Sequence, residues 1–161
     1  MSGSLCSEYR PGSPEGHGVL ETMPMLSPGG LPACEHPPVE RVDLERWMEA
    51  YERAWRAPGT DAAAALFADD AAYLMHPFAE AVVGLGAIRR LWDDERPEGE
   101  RFTMEWRIVA VEGDVGVVWL EVHYTAPEDQ LFRDLWIVRL GADGRCVAFE
   151  EWPFAPGRRV G

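Results

Sequence analysis

The spacing of apolar residues changes along the chain, from a helical period in its first half to the alternation of strands. Between residues 44 and 55, apolar side chains recur every three or four positions, which predicts an amphipathic helix with Asp43 as its cap. Thr60 is placed to cap a second, alanine-rich helix. The inner face of a third helix would carry Ile88, Leu91 and Trp92.

Alternating apolar residues predict six strands, over residues 71–76, 81–83, 101–111, 115–124, 131–140 and 146–152. Turn-forming residues separate the last four strands, at positions 113–114, 127–128 and 143–144. Two helices, two strands, a third helix and a four-strand meander predict an α+β fold, in which helices cover one face of a mostly antiparallel sheet.

Residues 1–40 differ in composition from the rest of the chain. They hold seven of the 13 prolines, no Trp, and Tyr9 as their only aromatic residue. So little apolar bulk does not offset the entropy of ordering, and we expect a disordered or loosely ordered tail. All seven Trp residues fall within 41–161, which we take as the folded domain.

Charge and cysteine content narrow the possible partners. The chain has 15 basic residues, all Arg, against 28 acidic ones, for a net charge of -13. Such an acidic chain is poorly suited to nucleic acid or to an anionic membrane, and we expect neither as a partner. The three cysteines show no ligand spacing, and no secretory signal or bilayer-spanning segment is expected, so we predict a cytoplasmic protein.

Several short motifs within residues 42–154 resemble the nuclear transport factor 2-like superfamily, in its SnoaL-like and ketosteroid-isomerase-like branch. They are Tyr51-x-x-Ala54-Trp55, Leu66 to Ala71, His76-Pro77, Gly84-x-x-Ala87-Ile88-x-x-x-Trp92, and the hairpin from Val138 to Trp152. The resemblance implies a SnoaL-like domain over 41–161, shaped as a cone in which a curved sheet and three helices enclose one pocket, often in a homodimer.

The resemblance also implies positions for a site. Steroid isomerases of this superfamily have a hydrogen-bonding Tyr on the first helix, and Tyr51 falls at that position. Their general-base Asp, just before a Pro, is replaced here by His76. Their neutral Asp on the penultimate strand is replaced by Trp136, so their two-donor oxyanion hole is not expected here.

Strand alternation extends this site. If Trp136 faces the pocket, Phe132 and Asp134 face it as well. A tight turn at residues 127–128 would place Glu121 opposite Asp134, Trp119 opposite Trp136 and His123 opposite Phe132. The pocket face would then be polar, and the other face would be an apolar dimer surface made of Val118, Leu120 and Val122. This inverted polarity is the strongest sign of function in the sequence.

These residues suggest acid/base chemistry without a cofactor or a metal. Two facing carboxyls can share a proton near neutral pH, and His titrates in the same range. We therefore expect four catalytic residues, namely His76, Glu121, Asp134 and Tyr51. Substrate-binding residues would be Trp92, Trp119, His123, Trp136, Phe132 and Glu150, with Glu151 in solvent.

Purely structural explanations exist for the same residues. Tyr51 could be a core residue with a satisfied hydroxyl, His76 could bond to a loop, and Glu121 could pair with an Arg. Two functions stay open on this evidence. One is an isomerase, cyclase or dehydratase acting on a small apolar carbonyl or hydroxyl metabolite; the other is a non-catalytic ligand-binding or dimerisation module of the same fold.

Overall fold

A computed structural model describes residues 38–157. The predicted tail over 1–40 lies outside the described residues except for positions 38–40. Those three residues already join the domain, because the Val39 amide donates to the carbonyl of Gly113 over 2.8 Å.

The first helix, α1, covers Arg41–Arg56 and buries the apolar stripe predicted for it. Glu40 is the N-cap residue, so the prediction that Asp43 caps the start is wrong by three positions. Asp43 instead lies in the first turn, where its carboxylate accepts the Glu40 amide over 3.1 Å. Gly116 lets this helix approach the sheet closely, since a Cβ there would overlap the buried Leu44 side chain.

Two short helices and two strands follow: α2 at Ala63–Leu66, β1 at Phe67–Leu74, β2 at Val82–Val83 and α3 at Leu85–Glu95. The prediction that Thr60 caps α2 is wrong, because Ala62 is the N-cap residue. The Thr60 carbonyl accepts the Ala63 amide, while its hydroxyl accepts Arg89 Nε over 3.4 Å. No helix in the described part of the chain has the length and apolar character needed to cross a membrane.

Four long strands complete the sheet: β3 at Arg101–Glu112, β4 at Val115–Ala126, β5 at Gln130–Leu140 and β6 at Cys146–Phe154. The six strands are ordered β2-β1-β6-β5-β4-β3. Only β1 and β6 pair in parallel; the other neighbouring pairs are antiparallel. The predicted α+β class, with a six-stranded and mostly antiparallel sheet, is confirmed.

The register between β4 and β5 differs from the predicted one. Asp134 pairs with Leu120, Trp136 with Val118 and Phe132 with Val122. Paired residues of β4 and β5 lie at equal distances in sequence from Pro127, so an odd number of residues separates the two members of each pair. The predicted turn at residues 127–128 assumed an even number. A shift of one residue turns every side chain of a strand to the other face of the sheet.

The shift reverses the predicted faces of β4. Val118 and Leu120 are fully buried against the helices, and Val122 is nearly so. These three residues belong to the core, so the prediction that they form a dimer surface is wrong. Trp119, which was expected in the pocket, lies on the outer face instead. The inner face of β4 is therefore apolar and its outer face more polar, as in an ordinary single domain, and the predicted inversion of polarity is wrong.

Candidate functional site

A cavity of about 480 Å³ lies between α1, α3 and the inner face of strands β3 to β6. Its walls are mainly aromatic, contributed by Tyr51, Trp55, Tyr73, Trp92, Phe102, Tyr124, Phe132 and Trp136. Such a space suits a small, largely apolar molecule, which a few polar groups would orient.

Ring packing around Tyr51 holds these walls in place. Its ring centroid lies 4.7 Å from that of Trp136 and 5.2 Å from that of Trp92, both in edge-to-face geometry. Phe149 stacks on Tyr51 from behind, at 5.9 Å. Edge-to-face and offset contacts are the preferred arrangements of aromatic pairs, so these rings support one another in the cavity wall.

Two tyrosine hydroxyls meet at the wall of the cavity. The oxygens of Tyr51 and Tyr73 lie 3.1 Å apart and share a hydrogen bond. Burial raises the pKa of both hydroxyls well above the ordinary value, so both stay protonated across the physiological range. One proton is used in the shared bond, and the other is available to an oxygen atom of a ligand.

Two carboxyl groups line the cavity from adjacent strands. Asp134 on β5 lies opposite Pro153, and Glu151 on β6 lies opposite Trp136, so the two acids are diagonal neighbours on the inner face. The Trp136 indole donates to Glu151 Oε1 over 3.3 Å. Asp134 is 4% exposed, and its Oδ1 has no hydrogen-bond partner among the described residues.

Burial changes the titration of both acids. Desolvation raises the pKa of Asp134 to about 7, although a backbone hydrogen bond from Phe154 works against it. Desolvation also raises the pKa of Glu151 to about 8, and the charge of Asp134 adds to this effect. Near neutral pH, the pair can therefore hold one carboxylic acid beside one carboxylate.

Five of the residues predicted from sequence line the cavity: Tyr51, Asp134, Trp92, Trp136 and Phe132. Four of them, Phe132, Asp134 and Trp136 on β5 and Trp92 on α3, come from inner faces that the sequence pattern oriented correctly. Tyr51 reaches the cavity on the buried stripe of α1, so it is both a core residue and a lining residue.

His76 lies outside the cavity, which contradicts its predicted place in the site. Strand β1 ends at Leu74, so His76 falls in the following turn and is exposed. Its Nδ1 accepts the Phe78 amide over 3.4 Å. A positional match to a catalytic Asp is therefore occupied by a residue that stabilises a surface turn.

Three further predicted residues lie on the outer face because of the register shift. Glu121 accepts a hydrogen bond from Arg133 Nε over 2.8 Å instead of facing Asp134. His123 pairs with Asp129 over 3.3 Å. Trp119 lies under the guanidinium of Arg107, 5.1 Å from its ring centroid.

Glu150 and Glu151 exchange their predicted places. Glu150 lies on the outer face, where it accepts the Trp152 indole N–H over 2.8 Å, and it does not line the cavity. Glu151 was expected in solvent and instead faces Trp136. The alternation from buried Phe149 to Glu151 was the signal that identifies the inward acid.

Sequence reasoning also missed two lining tyrosines, Tyr73 and Tyr124, and three further lining acids, Glu95, Glu100 and Glu128. Tyr73 shares the inner face of β1 with buried Ala71, and Tyr124 continues the inner face of β4. Within residues 38–157, no three His, Cys, Asp or Glu side chains cluster in a way that could hold a metal ion.

Comparisons with known proteins agree with this architecture. A model of the SnoaL-like domain family matches residues 44–149. A candidate isomerase of the SnoaL-like family from Agrobacterium tumefaciens superposes with a TM-score of 0.58 at 15% identity, covering 71% of this chain and 99% of that one.

Two further solved structures share the fold. An LEH-like epoxide hydrolase from M. tuberculosis has a TM-score of 0.55 at 18% identity, with 70% of this chain and 84% of that one covered. A protein with a ketosteroid isomerase-like fold from Catenulispora acidiphila, solved with trimethylamine, has a TM-score of 0.55 at 17% identity, with 68% and 85% covered. Among curated proteins, none matches the chain. At these identities the likeness establishes the fold alone.

Proposed function

The chain belongs to the SnoaL-like domain family, and from that premise we propose that it is a cofactor-independent acid/base enzyme. Its substrate would be a small, largely apolar carbonyl or hydroxyl metabolite bound in the aromatic cavity. The reaction would be a proton transfer of the isomerase, cyclase or dehydratase type. One observation carries the proposal: Asp134 and Glu151 lie side by side in a cavity that a tyrosine hydroxyl pair also lines.

Each group has a role in such a reaction. The ionised member of the Asp134–Glu151 pair removes a proton from the carbon next to a carbonyl, and the protonated member returns a proton at a second position. The Tyr51–Tyr73 pair donates to the oxygen on which negative charge develops. The aromatic walls exclude water and hold the substrate against these groups.

Hydrogen–deuterium exchange tests this proposal without knowledge of the full reaction. A panel of cyclic ketones in D₂O is followed by proton NMR, and the protein is expected to accelerate loss of the signal from the carbon next to the carbonyl. Glu151→Gln should abolish the acceleration, while Glu150→Gln, its neighbour on the outer face, should keep it. Equal exchange by wild type and Glu151→Gln would contradict the proposed role.

One observation favours the second function, a binding module without turnover. The Tyr51 and Tyr73 hydroxyls bond to each other, and the resemblance to steroid isomerases implies that Trp136 replaces their second oxyanion donor. Under this alternative, ketones would bind in the cavity with a measurable Kd, and no member of the panel would exchange faster than in buffer.

We also propose that the chain acts in the cytoplasm as a homodimer joined by the outer face of the sheet. Trp119, Leu135 and Trp152 form a row of cross-strand neighbours there, and the last two are exposed. A contiguous apolar row on an outer face is typical of an association surface. Light scattering should give the mass of a dimer for wild type and of a monomer for Leu135→Arg.

A further inference from the structure

The charged side chains that line the cavity have one sign. Among the described residues, the lining includes five carboxyl groups and no Arg or His, although Arg is common in the chain. They are Glu95, Glu100, Glu128, Asp134 and Glu151. A cleft with charges of one sign and low-dielectric walls concentrates counter-ions of the opposite sign.

The five acids form two levels. Asp134 and Glu151 lie on the sheet at the inner end, and Glu95, Glu100 and Glu128 lie around the mouth. Burial raises the pKa of Tyr124, and the surrounding carboxylates, with Glu100 first among them, raise it further.

Two arginines contact aromatic rings that line the cavity: Arg56, whose guanidinium carbon lies 4.2 Å from the ring centroid of Phe102, and Arg96. Arg96 lies with its guanidinium carbon 4.7 Å from the ring centroid of Trp55 and 5.8 Å from that of Trp92. Its Nη1 donates to the carbonyls of Ala57 and Gly59, away from the acid pair. Arg96 offsets part of the charge of Glu100, and its stacking shows that these indoles accept a cation on their faces.

The inner end of the cavity has an acceptor with no partner. Asp134 Oδ1 is buried and receives no hydrogen bond from any described residue. A buried carboxylate oxygen without a donor is costly, and a ligand N–H or an ammonium group would satisfy it. The aromatic rings beside it would stabilise the same positive charge through their faces.

We propose that the ligand of this cavity is an organic cation, a protonated amine or quaternary ammonium group on a small apolar body. The ammonium group lies at the unpartnered Oδ1 of Asp134, the apolar body packs against the aromatic walls, and Glu151 stays available for the proton transfer of the proposed function. This inference rests on the proposed function only in assigning the same cavity as the site. Anionic metabolites such as carboxylates and phosphates are excluded from the cavity by the same charges.

Three probes of equal shape test the charge preference. They are choline, its neutral isostere with a tert-butyl group in place of the trimethylammonium group, and the anion tert-butylacetate. Binding is followed by NMR through the indole N–H signals of the full-length protein. Choline is expected to bind about tenfold more tightly than the neutral isostere, and tert-butylacetate to show no binding. Equal affinity for choline and the isostere would overturn the inference.

Matched variants locate the charge that matters. Glu151→Gln should weaken choline binding about fivefold and leave the neutral isostere unchanged, whereas Glu150→Gln should change neither. Glu100→Gln should have a smaller effect, since Glu100 lies at the mouth. Loss of binding of both probes in Glu151→Gln, with the fold retained by circular dichroism, would mean a role in shape instead of charge and would contradict the proposal.

Proton linkage gives a second readout. Choline is charged at every pH, and its binding requires ionised acids, so its affinity should rise between about pH 6 and about pH 9. The titratable and charged groups around it are Asp134, Glu151, Glu95, Glu100, Glu128, Tyr51, Tyr73, Tyr124, Arg56 and Arg96. An affinity that is flat over this range, or that falls, would overturn the inference.

The two proposals can fail separately. Choline binding with no ketone exchange would contradict the proposed enzyme activity and support a cation-binding protein. Exchange of neutral ketones with no preference for choline over its isostere would support the proposed enzyme activity and contradict the cation specificity.

Discussion

Both faces of the β4–β5 ladder carry an acidic residue, but the surroundings of the acid differ between the inner and the outer face. On the outer face, Glu121 and Arg133 neutralise each other in solvent. On the inner face, Asp134 is buried beside a second acid, and its pKa is raised to about 7. Glu121 and Asp134 come from adjacent strands and differ in the face of the sheet they occupy. Burial and partner, and not residue type, turn a carboxyl into a candidate acid/base group.

The largest expected difference between the faces is in proton transfer. Asp134→Asn should slow ketone exchange by about a hundredfold or more, because it removes a member of the acid pair. Glu121→Gln, the matched change on the outer face, should leave the rate unchanged. Exchange rates from NMR in D₂O check this prediction, and a comparable loss in both variants would mean that the effect is not specific to the cavity.

The second difference is in core packing. Leu120→Ala removes a fully buried side chain and should lower the free energy of unfolding by about 2 to 4 kcal/mol. Trp119→Ala, one residue away on the outer face, should cost about 1 kcal/mol through its contact with Arg107. Urea denaturation measures both values. The reverse order would be incompatible with the register described above.

The third difference is in how stability depends on pH. Asp134 and Glu151 have raised pKa values in the folded protein, so the folded state binds more protons than the unfolded state between about pH 4 and about pH 8. Stability should therefore fall as pH rises through this range. The double variant Asp134→Asn/Glu151→Gln should remove most of that fall, which is on the order of several kcal/mol because the pKa of each acid rises from its ordinary value to about 7 or about 8. Thermal unfolding at a series of pH values tests this, with Glu121→Gln as the unchanged control.

The smallest expected effect is that of the outer ion pair. In the monomer, Arg133 is mostly exposed and Glu121 partly buried, and a double-mutant cycle to Gln and Met should give a coupling energy of about 0.5 kcal/mol, reduced by salt. The coupling should increase at protein concentrations where the proposed dimer covers this face, and a coupling of several kcal/mol in the monomer would contradict the prediction.

The sequence pattern was sufficient for the four long strands, but not for the start of β1, which lies at Phe67 instead of the predicted Ala71, nor for the faces of β4. Alternation and turn residues placed the ends of β3 to β6 within two residues, because Gly113 and Gly144 adopt the positive φ that turns require. The β4–β5 register depends on whether the turn holds an even or odd number of residues. Local sequence does not determine that parity around Pro127, and one residue reverses every assignment on β4.

The site shows the same division. Asp134 was assigned to the cavity by alternation along β5 alone, without the β4–β5 register, and it lines the cavity. Glu121 was assigned through the register, and His76 through its position before Pro77; neither lies in the cavity. Glu151 was missed because the alternation from the apolar Phe149, which places Glu151 on the inner face of β6, was not applied to the two adjacent acids.

The parallel pairing of β1 with β6 has a consequence for the order of events in folding. Strand β6 lies between β1 and β5, although more than seventy residues separate it in sequence from the end of β1. Until β6 inserts, β1 and β5 each present an open edge, and Glu151 is absent from the cavity. During synthesis, the emerging chain therefore has no acid pair until β6 has left the ribosome. The last strand to be made both closes the sheet and completes the chemistry.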